Sequence, residues 1–338
     1  MHGQMPQAVG PKLPNRAAAH AVAGGGSFDR PSRLLDYVHM ARIDHWFKNI
    51  FVFPGVALAL VLTDTPFATA LVPIVTALIS ICLIASANYV INELLDAPYD
   101  RHHPLKHDRP AAAGRVNTSI ACYWYLLLAA LGLALAAGIN PTYLAFSVVF
   151  LVMGAVYNVK PMRTKERAYL DVLSESFNNP LRLLLGWTAV TAIALPPSSS
   201  ILAYWMGGAF LMAVKRLAEY RFIGDAARAA AYRSSFKVYT EEKLLVSAFF
   251  YALCSSFFLG VFLIKYRIEF LLSFPLFSLL FTWYLAIGLK AASPAQNPER
   301  LYRERRFVAF VIALCMITVF LFFVDMPALA ILMEPVTF

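Results

Sequence analysis

Nine apolar runs, separated by polar segments that are alternately rich and poor in Lys and Arg, constrain this chain more than any other feature. The runs lie near 50–63, 69–91, 118–138, 143–157, 180–196, 200–214, 244–264, 269–289 and 307–324. A helix needs about 20 apolar residues to cross the hydrocarbon core. The shorter runs reach that length by borrowing flanking aromatic residues and snorkelling Lys. The expected fold class is therefore all-α, a polytopic membrane protein with nine transmembrane helices. Composition agrees, with 59% of residues hydrophobic and 14% charged, against roughly 45–50% and 25% in soluble domains. An ordinary cytosolic domain, a disordered tail protein and a secreted disulfide scaffold are excluded. The net charge of +9 is no sign of nucleic-acid binding, because the basic residues are confined to alternate loops.

Those loops set the expected orientation. Segments 1–50, 93–117, 159–175, 214–243 and 290–306 hold 6, 4, 4, 7 and 5 Lys and Arg, while the intervening loops carry only Lys265 and Arg267. The remaining arginine, Arg182, falls at a helix start. Basic loops stay on the cytoplasmic side, so the N-terminus is expected in the cytoplasm and, after nine spans, the C-terminus outside. Residues 1–32 are rich in Ala, Gly, Pro and His and lack the compact apolar segment of a secretory signal. They are expected to form a disordered cytosolic extension to a transmembrane catalytic domain over 33–338. Cys82, Cys122, Cys254 and Cys315 all lie in apolar runs and show no metal-ligand spacing, so they are expected to be buried, reduced thiols.

Orientation alone requires Lys and Arg, yet the basic loops also hold most of the carboxylates. At the end of the second run, Asn92, Asp96 and Asp100 follow each other at four-residue spacing, with Glu93 beside them. That spacing places them on one helical face, although Pro98 is expected to kink or end the helix and bring Asp100 round by a turn. Stacked like charges repel, and sharing a divalent cation removes the repulsion. Mg2+ favours one or two carboxylates, with water and phosphate oxygens completing its shell. Ahead of the fifth span, the loop with Lys160, Arg163 and Lys165 runs into Asp171 and Glu175, again four apart. Helix-dipole partnering accounts for one such acid, an ordinary capping cluster is the bland alternative for the first segment, and a solvated face of mixed charge is that for the loop 214–243. Acids for a metal, surrounded by Lys and Arg for phosphate oxygens, suit departure of diphosphate from a carbon that can bear positive charge.

The stretch Asn92, Glu93, Asp96 and Asp100 resembles the first motif of the UbiA superfamily of intramembrane prenyltransferases, with Glu93 where Asp is usual. His103 through Gly114 resembles the family's stretch immediately after that motif, and Asp171 and Glu175 align with the second. The resemblance covers about residues 33–325 and implies a nine-helix bundle with cytoplasmic active-site loops in a bacterial inner (plasma) membrane. It implies Mg2+ held by Asn92, Glu93, Asp96, Asp100, Asp171 and Glu175, with Asp96, Asp100 and Asp171 catalytic. Within the superfamily, Trp46-Phe47-Lys48-Asn49 and Lys215-Arg216-Leu217-Ala218-Glu219 are similar to segments of the polyprenyl-phosphate phosphoribosyltransferases. That branch transfers 5-phosphoribose from phosphoribosyl diphosphate to a lipid phosphate such as decaprenyl phosphate, supplying arabinose donors for envelope or glycoconjugate synthesis. Phosphate ligands would come from Lys48, Asn49, Lys106, Arg109, Tyr157, Lys160, Arg163, Lys165, Arg182, Lys215 and Arg216. Expected partners are the two substrates, membrane lipids and a second copy of the chain in a homo-oligomer.

The run from Tyr157 to Arg167 and the segment Ser174 to Arg182 look closer to other superfamily members, so two alternatives stay open. One is transfer of an isoprenyl chain to an aromatic or other small acceptor. The other, a transporter, would place ionisable groups at the bilayer midplane or in inverted repeats, whereas these carboxylates collect at one face. His102, His103 and His107 are expected to be surface histidines.

Overall fold

The computed structural model describes residues 34–101, 106–266, 268–291, 293–296 and 298–332. The extension over 1–32, His102, His103, Arg267, Asn297 and the C-terminal end all lie outside the described residues. Every regular element among the described residues is helical: α1 (Leu34–Met40), α2 (Phe53–Leu62), α3 (Phe67–Asp100), α4 (Thr118–Ala137), α5 (Pro141–Asn158), α6 (Leu170–Ser176), α7 (Asn178–Val190), α8 (Ser198–Ile223), α9 (Ala226–Tyr232), α10 (Glu241–Tyr266), α11 (Phe274–Gly288), α12 (Arg305–Phe323) and α13 (Pro327–Leu332), joined in places by short 3-10 turns.

Seven helical segments among the described residues are long and apolar enough to cross a membrane: Leu34–Leu62, Phe67–Asp100, Thr118–Ala137, Pro141–Asn158, Ser198–Ile223, Glu241–Tyr266 and Ile268–Gly288. The other two expected runs are also helical. The last forms α12, of 19 residues beginning at Arg305-Arg306. The fifth, 180–196, begins inside α7, of 13 residues, and α6, of 7 residues, stands just before it. Pro180 supplies no amide to the Ser176 carbonyl and crowds it, so the helix breaks at Phe177. Pro196-Pro197 then holds the chain out of helix before α8.

Local chemistry sets the helix ends on both faces. Asn117 caps α4 through the amides of Ser119 and Ile120 (2.9 and 3.3 Å), and Asn140 caps α5 through Tyr143 (2.8 Å), with Pro141 in the first turn. Gly224, at φ 68°, ends α8 in the left-handed conformation that favours glycine. Pro98 does not end α3, which continues through it to Asp100. At 1.5 Å per residue this 34-residue helix is about 51 Å long, well beyond the ~30 Å apolar core. Its last turns therefore carry Asn92 to Asp100 to the basic edge of the membrane.

Two large packed clusters form most of the bundle core. One joins α2, α3, α5 and α7 around Val56, Ile81, Ile84, Tyr143, Phe150, Leu181 and Leu185. The other joins α6, α8, α10, α11 and α12 around Val172, Phe210, Val214, Tyr284 and Phe307. A third packs α1 and α4 on α3 around Met40, Val90 and Leu128. Since lipid is as apolar as the helix faces, close backbone approach and internal hydrogen bonds must supply the cohesion. At the α2–α7 crossing, a Cβ on Gly186 would lie 2.1 Å from the Val52 carbonyl oxygen and one on Gly55 2.0 Å from that of Leu183. Ser80 donates to the Gly132 carbonyl (2.8 Å), Asn88 to Phe150 (3.0 Å) and Tyr143 to Ala77 (2.9 Å), tying α3 to its neighbours. Outward faces are strongly apolar, with Val72, Tyr123, Val246, Phe257 and Met316 exposed. Cys82 is buried as expected, but Cys122 and Cys315 lie on outward, exposed faces and Cys254 is half-buried. As small hydrophobes they suit a lipid-facing surface as well as a core.

Candidate active site

The ends of α3, α5 and α8 and the starts of α6 and α10 meet on the side that carries the basic loops. The geometry there is held at some cost. Arg42, Arg163 and Tyr169 are non-glycine residues at φ 49°, 30° and 65°, each requiring about 1–3 kcal/mol from the surroundings.

The first acidic segment is neutralised by cations from the neighbouring loops. Lys165 is buried and places its ammonium among three side-chain oxygens: Asp96 Oδ1 (2.5 Å), Asn158 Oδ1 (2.8 Å) and Asn92 Oδ1 (3.1 Å). Arg163 also donates to Asp96 Oδ1 (3.1 Å), as well as to Glu166 and the Asn158 carbonyl. Asp100 accepts from Arg109 (2.5 Å). Glu93 has turned away from this stripe, as expected for a residue about 100° from Asn92 around the helix. It is buried and accepts the Ala111 amide (3.2 Å), anchoring the loop after α3.

The second segment is built around Arg216, which is 1% exposed. Its guanidinium donates to Asp171 (3.1 Å), Glu175 (2.7 Å) and Glu219 (3.0 Å). Asp171 is fully buried and also accepts from Tyr239 (2.7 Å) and Ser235 (3.1 Å). Burial and the adjacent Asp171 carboxylate push the Tyr239 hydroxyl well above its ordinary pKa, so it remains a donor. Tyr157 links the two segments: its hydroxyl donates to Glu175 (2.9 Å), and the Lys165 ammonium lies 6.0 Å from its ring centre.

The structure thus brings Asn92, Asp96, Tyr157, Arg163, Lys165, Asp171, Glu175 and Arg216 into one network, with Asp100 and Arg109 beside it. Lys215 is half-buried next to Arg216, and its charge acts on Glu175 and Glu219. Lys160 is exposed at the rim of an open cavity also lined by Arg163 and Arg167. Lys106 reaches across to Tyr232, 5.3 Å from its ring centre. Burial and then Arg109 lower its pKa to about 8. His107 is a surface residue beside Asp108.

Lys48, Asn49 and Arg182 stand apart from that network, Asn49 and Arg182 as a buried pair. Asn49 accepts from Arg182 Nε (3.1 Å) and donates to Cys82 (3.1 Å), Trp46 donates to Ser86 (2.9 Å), and Lys48 pairs with His45 (2.9 Å). The remaining described partners of the buried Arg182 are the Asn178 carbonyl (3.3 Å) and the Phe150 ring (5.2 Å). All are neutral, so this guanidinium has no carboxylate partner among the described residues.

Nothing in the sequence points to Arg233 or Ser235, and Tyr239 stands out only through the similarity of Tyr239-Thr240-Glu241-Glu242 to the phosphoribosyltransferase branch. Arg233 follows α9, stands 3.8 Å from Asp171, and buries its Nη1 without a hydrogen-bond partner. It is one of seven basic residues in segment 214–243, none distinguished by position. Among the described residues no three His, Cys, Asp or Glu side chains gather as a metal-binding group. The oxygens that accept from the Lys165 ammonium are one carboxylate and two amides, and those around Arg216 are three carboxylates.

The fold is similar to that of a UbiA homologue from Archaeoglobus fulgidus bound to GPP and Mg2+, at 21% identity, a TM-score of 0.64, and coverage of 85% of this chain and 98% of the homologue. Nodulation protein NoeC of Azorhizobium caulinodans is 31% identical over 186 residues, 55% of this chain and 57% of NoeC. The chain therefore spans little more than half the length of that relative. Decaprenyl-phosphate phosphoribosyltransferase of Mycobacterium tuberculosis is 31% identical over 219 residues, 63% of this chain and 69% of the enzyme. Protoheme IX farnesyltransferase of Bacillus licheniformis is 26% identical over 205 residues, 59% of this chain and 66% of that enzyme. The profile of the UbiA prenyltransferase family matches residues 50–311, and with well over half the sequence inside that match, the chain belongs to the UbiA prenyltransferase family.

Proposed function

We propose that this chain transfers 5-phosphoribose from phosphoribosyl diphosphate to a polyprenyl, decaprenyl-like phosphate and releases diphosphate. The observation that carries this reading is Arg182, a buried guanidinium whose described partners are all neutral. A cation kept in an apolar bundle without a carboxylate needs an anion, and a lipid phosphate entering laterally between helices supplies one. Further support comes from the basic groups of three loops, Lys106 and Arg109, Arg163 and Lys165, and Arg233, which surround the acidic segments. A donor bearing a 5-phosphate and a diphosphate has use for more cations than an isoprenyl diphosphate.

The same reading takes α6–α7 and α12 as spans, giving nine, with the N-terminus and the basic loops in the cytoplasm of a bacterial inner membrane. Mg2+ fits the oxygen-only donors of the first segment: the Lys165 ammonium already stands in for a cation there. One or two carboxylates suffice for this ion when phosphate and water complete its shell. Asn92 and Asp96 would hold it, with Asp100 and Glu175 the next acids available. When bound, it would neutralise charge developing on the departing diphosphate.

The chain's own groups account for the rest. Lys106, Arg109 and Arg233 hold donor phosphates, and Arg216 fixes Asp171 and Glu175 in place. Breakage of the C1–O bond with oxocarbenium character leaves the electron pair on the diphosphate. An acceptor phosphate oxygen, already ionised at neutral pH, attacks from the opposite face and so needs no strong general base. Arg182 and Asn49 orient that acceptor.

Isoprenyl transfer to an aromatic or other small acceptor is the second reading, favoured by the protoheme IX farnesyltransferase relative and the GPP-bound homologue. One assay decides between them. Purified protein with Mg2+, radiolabelled phosphoribosyl diphosphate and polyprenyl phosphate should yield a labelled lipid. Absence of that lipid, with labelled isoprenyl diphosphate converted in a parallel reaction, overturns the phosphoribosyl reading.

A further inference from the structure

We propose that Lys165 is a resident cation of the first acidic segment, displaced from Asn92 and Asp96 by the divalent ion and thereby freed to bind a phosphate oxygen of the donor. The inference rests on the metal reading above. An ammonium has three N–H donors, and here all three are taken, by Asp96 (2.5 Å), Asn158 (2.8 Å) and Asn92 (3.1 Å). In this arrangement Lys165 has nothing left to offer a phosphate. It occupies the position between an amide oxygen and a carboxylate oxygen that an oxygen-seeking divalent ion would take.

The three partners are not equivalent. Asn158 is locked by its own Nδ2, which donates to the Gly154 carbonyl (2.8 Å), so its Oδ1 stays turned toward Lys165. The Tyr157 ring, 6.0 Å away, offers a second support that a metal would not claim. Loss of Asn92 and Asp96 would therefore leave the ammonium tethered at Asn158 and Tyr157, with two N–H groups free. Tyr157 itself donates to Glu175, so that position lies at the junction of the two acidic segments. Arg163 remains on Asp96 throughout and limits the charge change when Lys165 leaves. The acids are thus never left facing one another without a cation, whether or not metal is present.

The test measures metal binding to the full-length protein without donor. Mn2+ affinity, followed by electron paramagnetic resonance, should rise about tenfold or more in Lys165→Met, since a competing positive charge has left a site of low dielectric. Arg167→Met removes one charge from the same loop, but Arg167 is exposed and bonded to the Pro161 carbonyl (3.2 Å). Its Mn2+ affinity should stay within about twofold of the parent, as for a screened surface charge. Equal or weaker Mn2+ binding in Lys165→Met overturns the inference while leaving the metal reading intact. Saturable binding in neither protein sinks both. A second measurement uses only the unaltered chain: amine-reactive labelling of Lys165, read by mass spectrometry, should increase several-fold on adding Mn2+. Unchanged labelling at saturating Mn2+ overturns the displacement.

Discussion

Replacing Arg216 with Met tests whether the second acidic segment is a framework or a phosphate receptor. The guanidinium is 1% exposed and donates to three carboxylates, one of which, Asp171, is fully buried. Met keeps most of the apolar stem and removes the charge. What remains is Asp171 held by neutral Tyr239 and Ser235, with Arg233 at 3.8 Å as its nearest described cation. Breaking a buried ion pair from one side costs about 3–5 kcal/mol, because the other charge stays desolvated. A second carboxylate, Glu175, loses its strongest cation too, so the expected loss lies toward the upper end of that range. Equilibrium unfolding in mixed detergent micelles would measure it. Arg216→Lys should recover only part of the loss, since an ammonium cannot reproduce the planar fork that serves three acceptors. The double variant Arg216→Met with Asp171→Asn should be destabilised by less than the sum of the two, with a coupling of about 1–3 kcal/mol. A fully stable Arg216→Met protein with only a raised KM for the donor would refute the reasoning and return Arg216 to the phosphate ligands.

Three further outcomes are expected. Lys106 carries its charge below pH about 8 and loses it above, so kcat/KM for the donor should fall as pH rises through that value. Lys106→Arg should remove the inflection, and an unchanged profile counts against a phosphate role. Arg182→Met should raise KM for the lipid phosphate by about 10- to 150-fold, the equivalent of a charged hydrogen bond worth 1.5–3 kcal/mol, while leaving donor KM alone; equal effects on both substrates would contradict its assignment to the acceptor. Gly186→Ala should cost about 1–3 kcal/mol of stability as an overpacked contact, because its Cβ would lie 2.1 Å from the Val52 carbonyl oxygen. A parent-like unfolding curve would show that α2 and α7 can separate freely.

Apolar runs showed where helices would form but not where they would break or extend. Pro180, in the first turn of α7, follows the break after α6, while Pro98 leaves α3 intact to Asp100. The difference lies in tertiary support. The loop after α3 packs back on its last turns through Glu93–Ala111 and Arg109–Asp100, whereas at Pro180 the helical bond to the Ser176 carbonyl is simply lost. Four-residue spacing identified the acidic stripe because helix geometry alone determines that face. It said nothing of Arg233 or Asn158, whose roles depend on how loops fold over the helix ends.

The repulsion inferred from the acidic stripe is relieved here by Lys165, Arg163 and Arg109. Such a stripe cannot distinguish metal binding from ion pairing, since both answer the same electrostatic demand. A site that uses both in turn needs cations placed to leave the acids without leaving the site. Lys165 meets that condition through Asn158 and Tyr157, whereas Arg216, bound on three sides and almost wholly buried, does not. The two acidic segments therefore divide the work. On the proposed reading the first would exchange its cation, while the second fixes Glu175 through Arg216 and Glu175 accepts from Tyr157.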